Sequence, residues 1–255
     1  MKRLSGFDIK VIAIITMLID HIAACILARY MLLHNISINL EHLSENTPIA
    51  GIYLLMRLIG RIAFPLFIFL LVQGMIYTRN RWLYEIRLAA FALISEIPFD
   101  LAFSLSDEEI KQGRLLELTY QNVFFTLAIG GAVIILTSLL EEKRKGDRFL
   151  KLEKAAVVLS FMALAALLHT DYGAIGVLAI VIMWYFRDRP SLALPLMCAA
   201  LMLSDTTELM ALLALPVILS YDGTRGGAVK YFFYIFYPAH LLLLWLVYRL
   251  IIIPK

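Results

Sequence analysis

Cysteine and charge are both scarce in this chain of 255 residues. Its two cysteines, Cys25 and Cys198, each lie in an apolar run. They give no disulfide framework or metal site, and they read as small packing side chains. Charged residues make up 17% of the chain, against about 25% in an average soluble protein. The net charge is only +3, too small a basic excess to suggest nucleic acid as a partner. There is no Walker lysine loop and no Gly-x-Ser-x-Gly elbow. No pair of histidines or acids shows a ligand spacing, so no metal is expected. No internal repeat, heptad seam or low-complexity tract is visible.

What the chain has instead is hydrocarbon. It is 62% hydrophobic, with a mean hydropathy of +0.83. That excess does not fit inside one soluble core, so the sequence predicts an integral membrane protein in the lipid bilayer. The expected fold is all-α: one polytopic transmembrane helical bundle over residues 1–255, with about nine spans. They run roughly over 11–33, 50–77, 83–105, 121–140, 153–169, 171–187, 190–204, 207–220 and 229–252. The first apolar run is long enough to span and holds Asp20 and His21, so it reads as an uncleaved helix, not a signal peptide.

The connections between these runs alternate in charge. Basic residues mark the N-terminus (Lys2, Arg3, Lys10), "TRNRW" (Arg79, Arg81), "EEKRKGDRFLKLEK", "RDRP" and "YDGTRGGAVK". The intervening connections carry few or none. By the positive-inside rule the N-terminus is expected to be cytoplasmic and the C-terminus outside.

Ionisable residues inside spans are costly and usually face the bundle interior. His21 lies eleven residues after Lys10, about 16 Å deeper at helical rise and three turns on, so on the same face. His240 lies ten residues after Lys230, at about the same depth. Two histidines distant in sequence therefore fall near one level. Arg57 and Arg61 are four apart, as are Glu96 and Asp100. An antiparallel register setting Arg61 beside Glu96 would set Arg57 beside Asp100, and two such pairs are expected to be mainly architectural. Gln121, Asn122, His169, Asp171, Tyr172, Asp205 and Glu208 sit near outer span ends, where solvated helix ends explain them as readily as a site does. Pro238 interrupts the last span beside His240. His34 and His42 are expected to be solvated in an outer loop.

Neutral imidazole at mid-depth suits a general base or a nucleophile. Asp20 and His21 are adjacent, so their side chains diverge by about 100° on a helix. Asp20 therefore supports a neighbouring helix, and Glu96 is the better candidate to orient His21. The candidate catalytic residues are His21, Glu96 and Asp20. Lys10, Arg79, Arg81, Arg87 and Lys230 could surround the phosphates of a polyanionic cosubstrate, although ordinary positive-inside bias accounts for the same residues. Arg57, Arg61, Asp100, Asn122, Asp171, Tyr172 and His240 are assigned to the acceptor site and its architecture.

The stretches "DIKVIAIITMLIDHIA" (8–23), "GRIAFPLFIFLLVQG" (60–74), "TRNRWLYEIRLAAFALISEIPFDLAF" (78–103), "NVFFTLAIGG" (122–131), "DYGAIGVLAI" (171–180) and "YPAHL" (237–241) resemble the TraX family. These are membrane proteins named for acetylation of conjugative pilin, related to the acyltransferase-3-like transmembrane acyltransferases. The spacing from Lys10 to His21 is similar to that group's basic residue and first-helix histidine, and Arg79, Arg81 and Arg87 resemble its basic cluster. The resemblance implies a multi-pass protein of the bacterial cytoplasmic membrane. It implies acetyl transfer from cytoplasmic acetyl-CoA, with His21 essential, to a protein amine or an envelope glycan. A secondary transporter is the alternative, since mid-depth ionisable groups and broken helices also mark permeation pathways. A structural subunit with polar interhelical contacts is the third. The acceptor and any homo-oligomer stay open at this level.

Overall fold

The computed structural model describes residues 3–38, 47–227 and 230–252. Lys2, His42 and the Lys230 side chain lie outside the described residues. Ten helical elements follow one another in the described residues. They are α1 (Gly6–Leu33), α2 (Pro48–Tyr77), α3 (Arg81–Phe99), the short α4 (Asp107–Lys111) and α5 (Val123–Lys143). Then come α6 (Leu150–Leu167), α7 (Gly173–Tyr185), α8 (Pro190–Leu201), α9 (Thr206–Leu219) and α10 (Lys230–Val247). No strand occurs among the described residues, only the isolated bridges Leu4–Tyr221 and Gln121–Thr170.

Local chemistry fixes where these helices start. Ser5 and Asp8 form a reciprocal capping box at the head of α1, satisfying amides that have no partner within the helix. Thr47 caps α2, with Pro48 in the first turn, where its missing N–H costs nothing. Asn80 and Asn122 accept backbone N–H bonds at the heads of α3 and α5.

Each of the nine apolar runs read from the sequence is helical here. By length and composition, four helices are long and apolar enough to cross a membrane: Gly6–Leu33, Pro48–Tyr77, Val123–Lys143 and Phe232–Leu250. Helices α7, α8 and α9 are apolar but shorter, and α3 and α6 carry more charge. In α9 the first nine residues, Thr206–Ala214, form a 3₁₀ helix. A 3₁₀ helix rises about 2.0 Å per residue against 1.5 Å in an α-helix, so α9 reaches further than its residue count suggests.

Three helices carry wide, π-helical turns: Ala23–Leu27 within α1, Asp100–Ser104 after α3 and Tyr248–Ile252 after α10. These three helices meet in one apolar cluster that includes Ile14, Met17, Phe99, Ala102, Tyr237 and Leu241. A larger core joins the bundle around Leu66, Ile68, Met75, Ile134, Ile180, Met183, Leu194 and Leu201. Small residues set the close approaches. A Cβ on Gly130 would meet the Ile180 side chain at 2.3 Å, so α5 and α7 can touch only because that position is bare.

The two bridges define two ends of the bundle. At one, Leu4 before α1 lies beside Tyr221 after α9, and Gly6 donates to the Thr224 carbonyl at 2.8 Å. This is the end with Lys10, Arg87 and Arg225, called the basic end below. At the far end, Gln121 before α5 lies beside Thr170 after α6.

Candidate active site

His21 is the next-to-last residue of the regular part of α1, two residues before its wide turn begins. From α10, His240 reaches it: Nδ1 of His21 and Nε2 of His240 are 2.7 Å apart. The two rings lie within 2° of parallel. Nδ1 of His240 is 2.8 Å from the Phe236 carbonyl oxygen one turn earlier. Phe103 and Tyr237 pack edge-on against His21, with ring centroids 5.3 and 6.0 Å away. His240 is buried and His21 partly so.

A cavity of about 660 Å³ opens between α1, α2, α3, α5 and α10. Lys10, Arg87 and Arg225 stand at its basic end, Phe67, Leu70, Phe124 and Phe233 along its walls, and Ile14, Met17 and Tyr237 deeper in. The Lys10 ammonium lies 5.3 Å from the centre of the Phe233 ring, a cation–π distance. Met17 is one helical turn before His21, and Tyr237 both lines the cavity and packs on the His21 ring. The arrangement joins a cationic mouth, an apolar passage and an imidazole pair in sequence. Such a chamber can hold an anionic head group with a thin apolar arm and present its tip near a base.

Beyond the histidines, the far end is a network of paired charges. Arg57 bonds Asp20 at 2.6 Å, and Arg61 bonds Glu208 at 2.8 Å. This corrects the register expected from the sequence, in which Arg61 faced Glu96 and Arg57 faced Asp100. The first half of α2 lies against α1 and α9, while α3 lies against α5 and α10, so the two arginines never face α3. Gly60 makes the contact possible, because a Cβ there would fall 2.1 Å from the Asp20 carboxylate. Asp20 thus does support a neighbouring helix. Glu96 is bonded to the Asn122 side chain, which also donates to the Ala92 carbonyl at 2.8 Å, so it does not orient His21. Asp100, fully buried, accepts from the Glu117 amide at 2.8 Å.

Asp171 accepts from the Tyr120 hydroxyl at 2.9 Å. Tyr172 stacks on Phe64, with ring centroids 3.7 Å apart. Tyr172 sits in the left-handed region at φ 62°, where it opens α7. Glu208 is 1% exposed, not solvated. Asp205 is exposed and caps the 3₁₀ turn by accepting from Thr207. His34 is exposed, with Nδ1 3.0 Å from the Tyr30 carbonyl oxygen. Cys25 and Cys198 are buried free thiols. Among the described residues no group of three or more His, Cys, Asp or Glu could hold a metal ion.

Residues 5–248 match the family described as TraX protein. The chain belongs to the TraX family. It is 30% identical over 261 residues to "Probable fimbrial assembly protein FimC, serogroup H1" of Dichelobacter nodosus, with 94% of each chain covered. No solved structure matches.

In this TraX-family chain the expected cation set is redistributed. Lys10 and Arg87 line the cavity; Arg79 and Arg81 do not. Arg81 donates to the Met75 carbonyl at 2.9 Å and packs over Trp184, closing the end of α2. Arg225 takes a place at the mouth that sequence reasoning had not assigned it. Its loop is held there by the Leu4–Tyr221 and Gly6–Thr224 contacts, which no local spacing announces. Tyr237 was also missed as a wall of the cavity. Its signal was its position three residues before His240, on nearly the same helical face.

Proposed function

We propose that this TraX-family protein is a membrane-embedded acetyltransferase. It takes an acetyl group from acetyl-CoA at its basic end and passes it to an acceptor reached within or across the membrane. In this reading nine helices span a bacterial cytoplasmic membrane, with the N-terminus on the cytoplasmic side, as the alternation of basic and non-basic connections favours. The acceptor is a protein amine or an envelope glycan, and a relative named for fimbrial assembly favours a protein.

The observation that carries the reading is the cavity that begins at Lys10, Arg87 and Arg225 and ends one helical turn from His21. Phosphates at the mouth and an apolar arm along the aromatic walls would bring a thioester to the imidazole pair. His21 accepts the proton of the acceptor N–H or O–H as its lone pair attacks the thioester carbonyl. The departing thiolate takes that proton back, leaving acetylated acceptor and free CoA thiol. The pairs Arg57–Asp20 and Arg61–Glu208 hold α1, α2 and α9 in place around His21.

The test is to incubate purified protein with acetyl-labelled acetyl-CoA, with and without a candidate acceptor. Label retained on the protein indicates a covalent acetyl-imidazole, and label released only with acceptor indicates direct transfer. Unconsumed acetyl-CoA under both conditions would falsify the reading. His21→Ala is expected to fold and to lose about a hundredfold or more in rate; normal turnover in that variant removes His21 from the chemistry.

A further inference from the structure

We propose that His240 is a positioning residue that fixes the tautomer of His21, leaving Nε2 of His21 as the basic nitrogen. The inference rests on His21 being the base in the reading above, but the geometry behind it is independent of any substrate. A carbonyl oxygen only accepts hydrogen bonds. The Phe236 carbonyl lies 2.8 Å from Nδ1 of His240, so that nitrogen carries the proton. A neutral imidazole has one N–H, so Nε2 of His240 is bare and accepts. It faces Nδ1 of His21 at 2.7 Å, a distance at which two ring nitrogens need a proton between them. That proton belongs to Nδ1 of His21. Its Nε2 therefore has a free lone pair.

The surroundings maintain this order. Among the described residues neither ring is bonded to a carboxylate; the adjacent Asp20 is bonded to Arg57. Phe236 stacks on His240 at 4.8 Å and Phe103 closes on His21 at 5.3 Å. The orienting group for the base is thus a backbone carbonyl of α10, relayed through a second imidazole, where many sites use a carboxylate. When His21 Nε2 takes the acceptor's proton, its Nδ1–H still donates to His240, which steadies the imidazolium. Return of that proton to the thiolate restores the neutral pair.

Histidine-selective ¹⁵N NMR on the purified full chain in detergent tests this directly, with resonances assigned from His21→Ala and His240→Ala. The wild type is expected to show His21 protonated at Nδ1 and bare at Nε2. In His240→Ala the His21 ring is expected to shift to the Nε2–H tautomer, with acetyl transfer reduced about tenfold or more at unchanged KM for acetyl-CoA. His240→Gln places an amide oxygen near the position of Nε2 and is expected to restore both tautomer and most of the rate. An Nε2–H tautomer of His21 in the wild type would overturn the proposal, whether or not acetyl is transferred. The expected tautomer in a protein that ignores acetyl-CoA would uphold the positioning role and remove only the acetyltransferase reading. Should His240→Ala fail to fold, the wild-type spectrum still decides.

Discussion

The two ends of the bundle treat charge in opposite ways. At the far end the two arginines of α2 each have an acid: Arg57 with Asp20, Arg61 with Glu208. Asp171 and Glu96 take bonds from Tyr120 and Asn122. At the basic end Lys10, Arg87 and Arg225 gather around one opening, and among the described residues none of them pairs with a carboxylate. Charges buried with partners are architecture, since removing one leaves the other stranded. Like charges held together around a concavity raise its potential instead, and draw anions. The comparison teaches that the number of ionisable groups in a helix bundle says little; whether they are paired separates scaffold from binding site.

The largest effect should come from breaking a buried pair at the far end. Arg61→Ala strands Glu208 and is expected to cost about 3–5 kcal/mol, read as a fall in Tm in detergent. The double variant Arg61→Leu with Glu208→Leu should recover most of that loss. An unchanged Tm for Arg61→Ala would dissolve the contrast between the ends. The mouth should respond in the other sense. Arg225→Ala leaves Tm within error and weakens acetyl-CoA binding about tenfold, the size of one charge-assisted hydrogen bond. Equal affinity in that variant would take Arg225 out of the mouth.

The smallest effect belongs to the exposed far-end connection 106–119. There the Ser106 amide and hydroxyl, helped by Arg114, hold the Glu109 carboxyl below its ordinary range. Thr119, with Arg114, does the same for Glu117. A carboxyl with a lowered folded pKa contributes order above its unfolded pKa and loses it as pH falls through the folded one. Below about pH 4, protection factors against hydrogen exchange should fall in 106–119 and stay unchanged in α1 and α2. An equal fall in α1 would show that the exposed and buried polar contacts are one unit.

Much of this was legible in the sequence because hydrocarbon periodicity and helix counting are local. The nine apolar runs are helices, and counting from Lys10 and Lys230 brought His21 and His240 to one level. What failed was the choice of neighbour. Arg57 and Arg61 share a face of α2, and the sequence offered Glu96 and Asp100 at matching spacing. The actual partners, Asp20 and Glu208, show no such match. They depend on which helix packs against which, and on one bare position at Gly60. Arg225 was missed for the same reason: a loop residue reaches a cavity only through the contacts that pin its loop. The wide turns left no trace either, since an extra residue in a helix looks like any other.

The wide turn in α1 has a consequence for its outer third. In an unbroken helix Arg29, eight residues after His21, would point about 80° away from it; one surplus residue turns it back to within about 20°. Arg29 thereby comes to donate to the Leu101 and Leu105 carbonyls at 3.3 Å and to cover the Tyr248 ring. The same two neighbours, the wide turn after α3 and helix α10 with its own wide turn, also supply Phe103 and His240 to His21. Helix α1 therefore works as a spliced rod, its two phases aligned by a one-residue offset. Shortening it by a single residue between 23 and 27 would leave the imidazole where it is and swing the guanidinium clamp out of register.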